Sequence, residues 1–409
     1  MDGDTSWSDE EFDDNSKGTG VFHSYLELVD KDDKESSSFV SIDSVLSDDL
    51  LEQILASLPL ACIFKACCVC KKWNEIMHSS RFMLKVSSIL SQKPWYFMFT
   101  SSDEPIGCAY DPVLRKWYSF ELPYIETPSW FISSSCGLVC FMDNNSRIEL
   151  CVCNPLTKNY KKLAEPLGQK FSDYSALAFS VGRSSSSHDY TVVLVRSKQA
   201  SEDFVHWDIS IHIYCSETMM WASPVMETLE GWRGGGDSVI CDGVLYFLVH
   251  YTRGMDWTQN RHGLLTYKLH NRSPNGKLIE TLIEVPCFLT CGRLMNLRDK
   301  LVMVGGIGRR DRPGIVKGIG IWALKGREWE EVSRMPNKFF QGFGEFDDVF
   351  SSSGSGDLIY IQSYGATALL VFDMSLKQWN WSQKCPVTKR FPLQLFTGFC
   401  FEPRLEISP

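Results

Sequence analysis

No stretch of this 409-residue sequence approaches the roughly 20 consecutive apolar residues that a membrane-crossing helix needs; the longest strongly apolar run is Val244–Val249. A surplus of positive charge is missing as well. Lys and Arg number 41 against 50 Asp and Glu, and residues 1–38 alone carry twelve acids against three lysines, which is the whole net charge of −9. The remaining chain is neutral, which argues against direct bulk binding of nucleic acid, since that needs many cations facing phosphates. The opening residues MDGDTSWSDEEFDD lack the basic start and apolar core of a signal peptide and the arginines of a transit peptide. The expectation is a soluble protein of the nucleus, the cytoplasm or both, with no membrane partner. Catalytic signatures are absent too: no G-x-S-x-G, no P-loop and no dinucleotide fingerprint behind a strand. Gly234-Gly235-Gly236 and Gly305-Gly306-Ile307-Gly308 have no helix behind them to help hold a phosphate.

Cysteine is plentiful, at 15 residues. An odd number without a secretory signal does not read as a disulfide framework. Pairs such as Cys136/Cys140, Cys151/Cys153 and Cys287/Cys291 do not close into ligand sets with the eight scattered histidines. Most lie inside apolar runs such as Leu138-Val139-Cys140-Phe141 and read as small buried hydrophobes. Neither a metal nor a cofactor is expected.

Three parts are legible. Residues 1–40 are acidic, rich in Ser and Gly and without sustained periodicity, and read as a disordered tail dispensable for the fold. Residues 41–90 read as three short helices. Ser47 is an N-cap, Asp48 and Asp49 suit the positive end of a helix, and Leu50, Leu51, Ile54, Leu55 and Leu58 form its apolar face up to Pro59. A second helix carries Leu60, Ile63, Phe64 and Cys67, and a third spans about 81–90. So small a unit buries too little surface to stand alone and calls for a partner over its leftover apolar face. The run from Leu46 through Leu60, followed by Cys68-Val69-Cys70-Lys71-Lys72-Trp73, resembles the plant-type F-box, with Ser47 where the motif usually has proline.

Residues 91–405 change to short β-rich runs punctuated by Gly, Pro, Asn and Asp, with 406–409 as a C-terminal tail. An aromatic or Cys recurs seven positions before an aromatic: Tyr110…Trp117, Cys153…Tyr160, Tyr214…Trp221, Trp322…Trp329 and Phe372…Trp379, with a degenerate copy at Tyr267. Asp111, Asn154 and Asp373 follow the first member, and Pro112 and Pro155 come next in two copies. This reads as a hairpin: outgoing strand, Asx-seeded turn, returning strand. Copies stand about 50 residues apart, the period of propeller blades. The pattern resembles kelch repeats and implies a mainly β fold, a propeller of six blades with seven left open. The strand Phe396–Phe401 would close the blade that opens near Trp95, since closure removes exposed sheet edges. The repeated aromatics read as packing between blades.

The combined resemblance is to plant F-box/kelch-repeat proteins, substrate receptors of Skp–cullin–F-box ubiquitin ligases. It implies a non-catalytic subunit whose F-box docks on a Skp-type adaptor, and through it on cullin, while the propeller holds a protein target. The adaptor-facing candidates are Leu46, Leu50, Leu51, Ile54, Leu58, Pro59, Leu60, Val69 and Trp73, some of which must instead form the internal core. If the repeat turns share one face of the disc, the long connections 181–189, 230–238, 250–263 and 306–318 share the other. They hold Trp232, Arg233, Arg253, Trp257, Arg261, Arg309, Arg310 and Arg312, residue types enriched in binding hot spots. Two alternatives stay open: an F-box protein of a non-ligase assembly, and a propeller that binds a small ligand.

Overall fold

The computed structural model describes residues 46–89, 92–100, 106–122, 130–143, 150–166, 172–182, 189–200, 205–253, 261–269, 277–308, 315–343, 350–364, 366–387 and 395–409. The acidic tail therefore lies outside the described residues.

Among the described residues four helices come first, not three: α1 (Asp48–Ala56), α2 (Leu60–Ala66), α3 (Lys71–Met77) and α4 (Ser80–Ile89). The segment read as a lead-out after α2 is itself helical. Its N-cap is Cys70, whose sulfur accepts from the Trp73 amide at 3.4 Å, a cap that sequence rules centred on oxygen side chains do not flag.

The rest is a closed propeller of six four-stranded antiparallel blades. Blade 1 holds β1 (Trp95–Thr100), β2 (Ile106–Asp111) and β3 (Lys116–Glu121). Blade 2 holds β4 (Trp130–Ser135), β5 (Leu138–Asp143), β6 (Leu150–Cys153) and β7 (Tyr160–Leu163). Blade 3 holds β8 (Tyr174–Val181), β9 (Tyr190–Gln199), β10 (His206–Cys215) and β11 (Met220–Glu230). Blade 4 holds β12 (Trp232–Cys241), β13 (Val244–Tyr251), β14 (His262–Lys268) and β15 (Ile283–Glu284). Blade 5 holds β16 (Leu289–Leu297), β17 (Lys300–Ile307), β18 (Gly318–Lys325) and β19 (Glu328–Arg334). Blade 6 holds β20 (Phe350–Ser355), β21 (Leu358–Ser363), β22 (Leu370–Asp373) and β23 (Gln378–Trp381). The last strand, β24 (Phe396–Phe401), pairs with β1 from Trp95↔Phe401 to Thr100↔Phe396 and supplies blade 1 with its inner strand. Three strands from the start of the domain and one from its end thus close the ring and leave no inner edge exposed.

The seven-residue repeat is a cross-strand pair. Tyr110 faces Trp117, Tyr214 faces Trp221 and Phe372 faces Trp379 across the outer hairpins, with ring centroids 5.1, 5.4 and 4.7 Å apart. The turns between them are seeded as expected. Asp111 Oδ1 accepts from the Val113 and Leu114 amides, Asn154 Oδ1 from Leu156 and Thr157, and Asp373 Oδ1 from Ser375 and Leu376. In blade 5 a shorter turn puts Trp329 opposite Leu324 instead of Trp322. In blade 4 the degenerate copy has a physical counterpart. The turn is replaced by a long excursion through a 3₁₀ turn (Leu278–Thr281), and the outer strand shrinks to two residues.

The outer-strand tryptophans also tie blades together. Indole N–H groups donate to the preceding blade: Trp117 to Gln383 O at 2.9 Å, Trp221 to Ala164 O at 2.7 Å, Trp329 to Glu284 O at 2.9 Å and Trp379 to Ser333 Oγ at 3.0 Å. Trp221→Phe keeps an aromatic ring but removes the indole N–H, along with part of the ring's packing area. It is expected to cost about 1 kcal/mol in urea denaturation; an unchanged midpoint would show that the bond contributes nothing.

Helices and propeller share one apolar cluster. Leu51, Leu55, Leu60, Ile63, Phe82 and Val86 continue into Trp95, Phe97 and Phe99 of β1, Phe141 of β5 and Phe399 and Phe401 of β24. The short arm between them is anchored: the Tyr360 hydroxyl donates to Pro94 O at 2.5 Å, and Lys93 lies 3.8 Å from Asp373. The chain end, expected to be a tail, is pinned as well. The Asn154 side-chain amide donates to Arg404 O and Ile407 O, both at 2.9 Å, and Ile407 is buried among Leu138, Leu150 and Val152.

Candidate functional site: two binding surfaces

Helix α1 is apolar on both sides. Leu51 and Leu55 point into the cluster shared with the propeller, whereas Leu50 and Ile54, one turn apart, are 52 % and 50 % exposed. Val69, beyond α2, and Leu84, on α4, are exposed as well. Three ion-paired contacts hold α1 on α4: Arg81 with Asp49 and, at 3.3 Å, with Glu52, and Lys85 with Glu52 at 3.8 Å. The nine adaptor-facing candidates therefore divide. Leu50, Ile54 and Val69 face solvent; Leu51 and Leu60 are core; Leu58 and Trp73 are half-buried against that core. Pro59 and Leu46 are half-buried. Leu84 was missed by the sequence reading, because the motif residues identified there end at Trp73. Cys67 and Cys70 stand at C-x-x-C spacing, also passed over, but they diverge: the Cys67 sulfur meets Met77 Sδ at 3.8 Å while Cys70 caps α3.

The helices sit on the face of the disc that carries the repeat turns. Leu114 and Leu156, from the outer turns of blades 1 and 2, pack on the helix cluster. A small crevice of about 170 Å³ is walled by Leu60 and Val86 on one side and by Ser355, Gly356 and Glu402 on the other. The antiparallel order then puts the second connection of each blade, and the links between blades, on the far face.

Two of the four connections assigned to that far face are corrected by the topology. Residues 181–189 join the first two strands of blade 3 and belong to the helix side. Residues 230–238 are not a loop: Gly231 alone, at φ +76°, separates β11 from β12. The glycines that suggested a loop reflect close packing, since a Cβ at Gly234 would meet Ser197 Cβ at 2.7 Å and one at Gly235 would meet Leu248 O at 2.9 Å.

Blade 4 nevertheless gathers four candidates at its far-face corner. Trp232 packs at a tilt of 57° beside Tyr251 with centroids 5.1 Å apart, and the Arg233 guanidinium lies 3.9 Å over the Tyr174 ring. Arg253 pairs with Glu230, and the carbonyl of half-buried Arg261 accepts from the Tyr251 amide at 2.8 Å. Trp257, Arg309, Arg310 and Arg312 lie outside the described residues.

Three histidines of blades 3 and 4 are withdrawn from solvent, His212 and His262 buried and His250 half-buried. His250 and His262 face each other across β13 and β14, 4.3 Å between ring centroids, and His212 lies between the Ser210 and Ser223 hydroxyls. Desolvation, reinforced by nearby Arg side chains and, at His250, by His262, lowers His250 to about 3 and His262 and His212 to about 4. Their contribution to stability is full above the ordinary value near 6.5 and is lost as pH falls toward the folded values. Asp237 has the opposite sign: desolvation raises it to about 6, so its contribution is lost as pH rises through that value. Between pH 7 and pH 5 the three histidines, at about 2 kcal/mol each, outweigh the carboxyl at about 1 kcal/mol. The urea midpoint is expected to be lower at pH 5 than at pH 7; an equal or higher midpoint would contradict neutral buried imidazoles.

With this geometry in place, comparisons with known proteins can be read. Residues 44–85 match the F-box domain family, and residues 111–286 match the family described as F-box protein At3g26010-like, beta-propeller. The chain is 56 % identical over 425 aligned positions, the full length of both proteins, to the F-box/kelch-repeat protein At3g61590 of Arabidopsis thaliana. This chain belongs to the F-box/kelch-repeat proteins. More distant relatives in the same plant are F-box only protein 6, at 26 % identity over 87 % of this chain and 73 % of its own length, and SKP1-interacting partner 15, at 24 % over 89 % and 98 %. For an F-box/kelch-repeat chain the two surfaces acquire distinct places: an apolar helix face on one side of the disc and a cluster of Arg and Trp on the other.

Proposed function

We propose that this F-box/kelch-repeat protein is the substrate-receptor subunit of a Skp–cullin–F-box ubiquitin ligase, acting in the nucleus or cytoplasm. The observation that carries the reading is the exposed row Leu50, Ile54 and Val69, with Leu84, left on the helices after Leu51, Leu55 and Leu60 have been spent on the propeller. Four exposed apolar side chains on so small a helical unit call for a protein partner. The F-box domain and the relative whose name is SKP1-interacting partner 15 support a Skp-type adaptor in that place. The adaptor would bring cullin, and the far-face corner formed by Trp232, Arg233, Arg253 and Arg261 would meet the target. The protein itself would do no chemistry. Its contribution is proximity, since holding target and loaded conjugating enzyme in one assembly raises the effective concentration of the target lysine. A helix unit fixed to the propeller by a shared core suits that task better than a flexible tether.

The test is affinity purification of the intact chain under proteasome inhibition, with and without depletion of the adaptor. Adaptor, cullin and a protein that accumulates when the receptor is depleted are expected together. Recovery of adaptor without cullin, and with no protein stabilised on depletion, would favour a non-ligase assembly.

A further inference from the structure

The inner strands β4, β8, β12, β16, β20 and β24 enclose a cavity of about 430 Å³ along the propeller axis. Small-molecule sites fall in the range of roughly 300–1,000 Å³. Much of its wall is serine, and several of these hydroxyls join neighbouring blades. Ser134 Oγ donates to Cys400 O at 2.5 Å, Ser135 Oγ accepts from the Val181 amide at 3.1 Å, and Ser353 Oγ accepts from the Cys400 amide at 2.6 Å.

Arg293 is different. It sits at the middle of β16, lines the cavity and is half-buried there. Its own-strand contact is Gly292 O at 3.5 Å, the limit of a hydrogen bond, and its other neighbour is the Tyr364 hydroxyl. Among the described residues no carboxylate lies within 4.0 Å of the guanidinium. Asp237, in β12 across the seam, acts on it only through space, because its Oδ2 accepts the Leu294 amide at 3.2 Å. A guanidinium carries five N–H donors, more than the contacts with Gly292 and Tyr364 use, so the others are left to whatever fills the cavity.

The geometry points to a binding site for a small molecule bearing a single carboxylate, held by Arg293 with Tyr364 beside it. A planar carboxylate matches the guanidinium fork with two parallel bonds. A doubly charged phosphate fits less well, because Asp237 faces the same space and the other cavity-lining arginine, Arg298, is already paired with Asp357. A carboxylate can also arrive on an acidic peptide, but enclosure by six inner strands favours the free small molecule. This site is independent of the ligase reading and stands or falls without it.

Fluorine-observed NMR on the full chain tests it, with para-trifluoromethyl benzoate as probe, the corresponding amide as neutral control, and a blocked glutamate-rich hexapeptide as a second arm. The acid is expected to bind saturably and at least about tenfold more tightly than the amide, and Arg293→Gln to abolish that preference. Should Arg293→Gln not fold, Tyr364→Phe carries the test: it should weaken the acid severalfold and leave the amide unchanged. Equal affinity for acid and amide, absence of saturable binding, indifference to these variants, or binding of the peptide alone would each overturn the proposal.

Discussion

Replacing Leu50 and Ile54 together by glutamate is expected to weaken capture of a Skp-type adaptor roughly a hundredfold or more, while the chain melts as before. Both side chains are half exposed and neither belongs to the cluster that joins helices to propeller, so the folded chain loses almost nothing when they change. The adaptor would lose two apolar anchors and meet two charges that must be desolvated. The opposite face gives the complementary result. Leu51→Ala with Leu55→Ala removes two fully buried side chains at about 2–5 kcal/mol each, and should loosen the helices from blades 1 and 2. Co-purification of the adaptor and thermal unfolding, measured on both double variants, separate the two faces. Adaptor capture that survives the first pair and unfolding that ignores the second would mean that α1 is seated the other way round.

The second large effect is expected at the seam where the ring closes. Gly398 lies in β24 opposite Met98, and a Cβ built there would stand 2.3 Å from Phe97 O and 2.6 Å from Tyr96 Cε1. Neither neighbour can yield. Phe97 O belongs to the backbone of β1, and Tyr96 is fully buried with its hydroxyl on Gln362 at 2.6 Å. Gly398→Ala must therefore push β24 away from β1, and a cost of about 3 kcal/mol or more is expected, at the upper end of overpacking effects. Gly318→Ala serves as control, since nothing lies within 4 Å of its hypothetical Cβ, and should shift stability by no more than about 0.5 kcal/mol. Similar urea midpoints for the two variants would contradict a closure sealed by β24.

Much of this architecture is written locally in the chain. The outer hairpins were legible because an Asx-seeded turn and a cross-strand aromatic pair each need particular residues at fixed offsets, as Asp111 and Tyr110…Trp117 show. Blade 4 was the poorly marked one because its outer strand is reduced to Ile283–Glu284 and its turn to an excursion without that chemistry. Connection lengths misled where one departed from its siblings. Two residues join the inner strands of blades 2, 4, 5 and 6, but blade 3 uses a long connection there, and length alone does not say which strands a segment joins. Gly234 and Gly235 looked like loop residues and instead allow β12 to approach its neighbours. On the helices, Leu50/Ile54 and Leu51/Leu55 are equivalent as letters. The difference between them is made by the propeller, which covers one pair and leaves the other. Arg293 had no signal at all, being a lone charge in an apolar strand whose significance depends on what the other blades bring around it.

The most direct test of a receptor that joins adaptor and target is reconstitution. The chain would be combined with a Skp-type adaptor, cullin, its RING subunit, activating and conjugating enzymes and ubiquitin, using proteins retained by the intact receptor as acceptors. Ubiquitin conjugates are expected on those acceptors with the wild-type chain, and are expected to vanish with Leu50→Glu/Ile54→Glu. Conjugation that is absent with the wild-type chain despite stable adaptor binding, or that proceeds equally with the variant, would contradict the account.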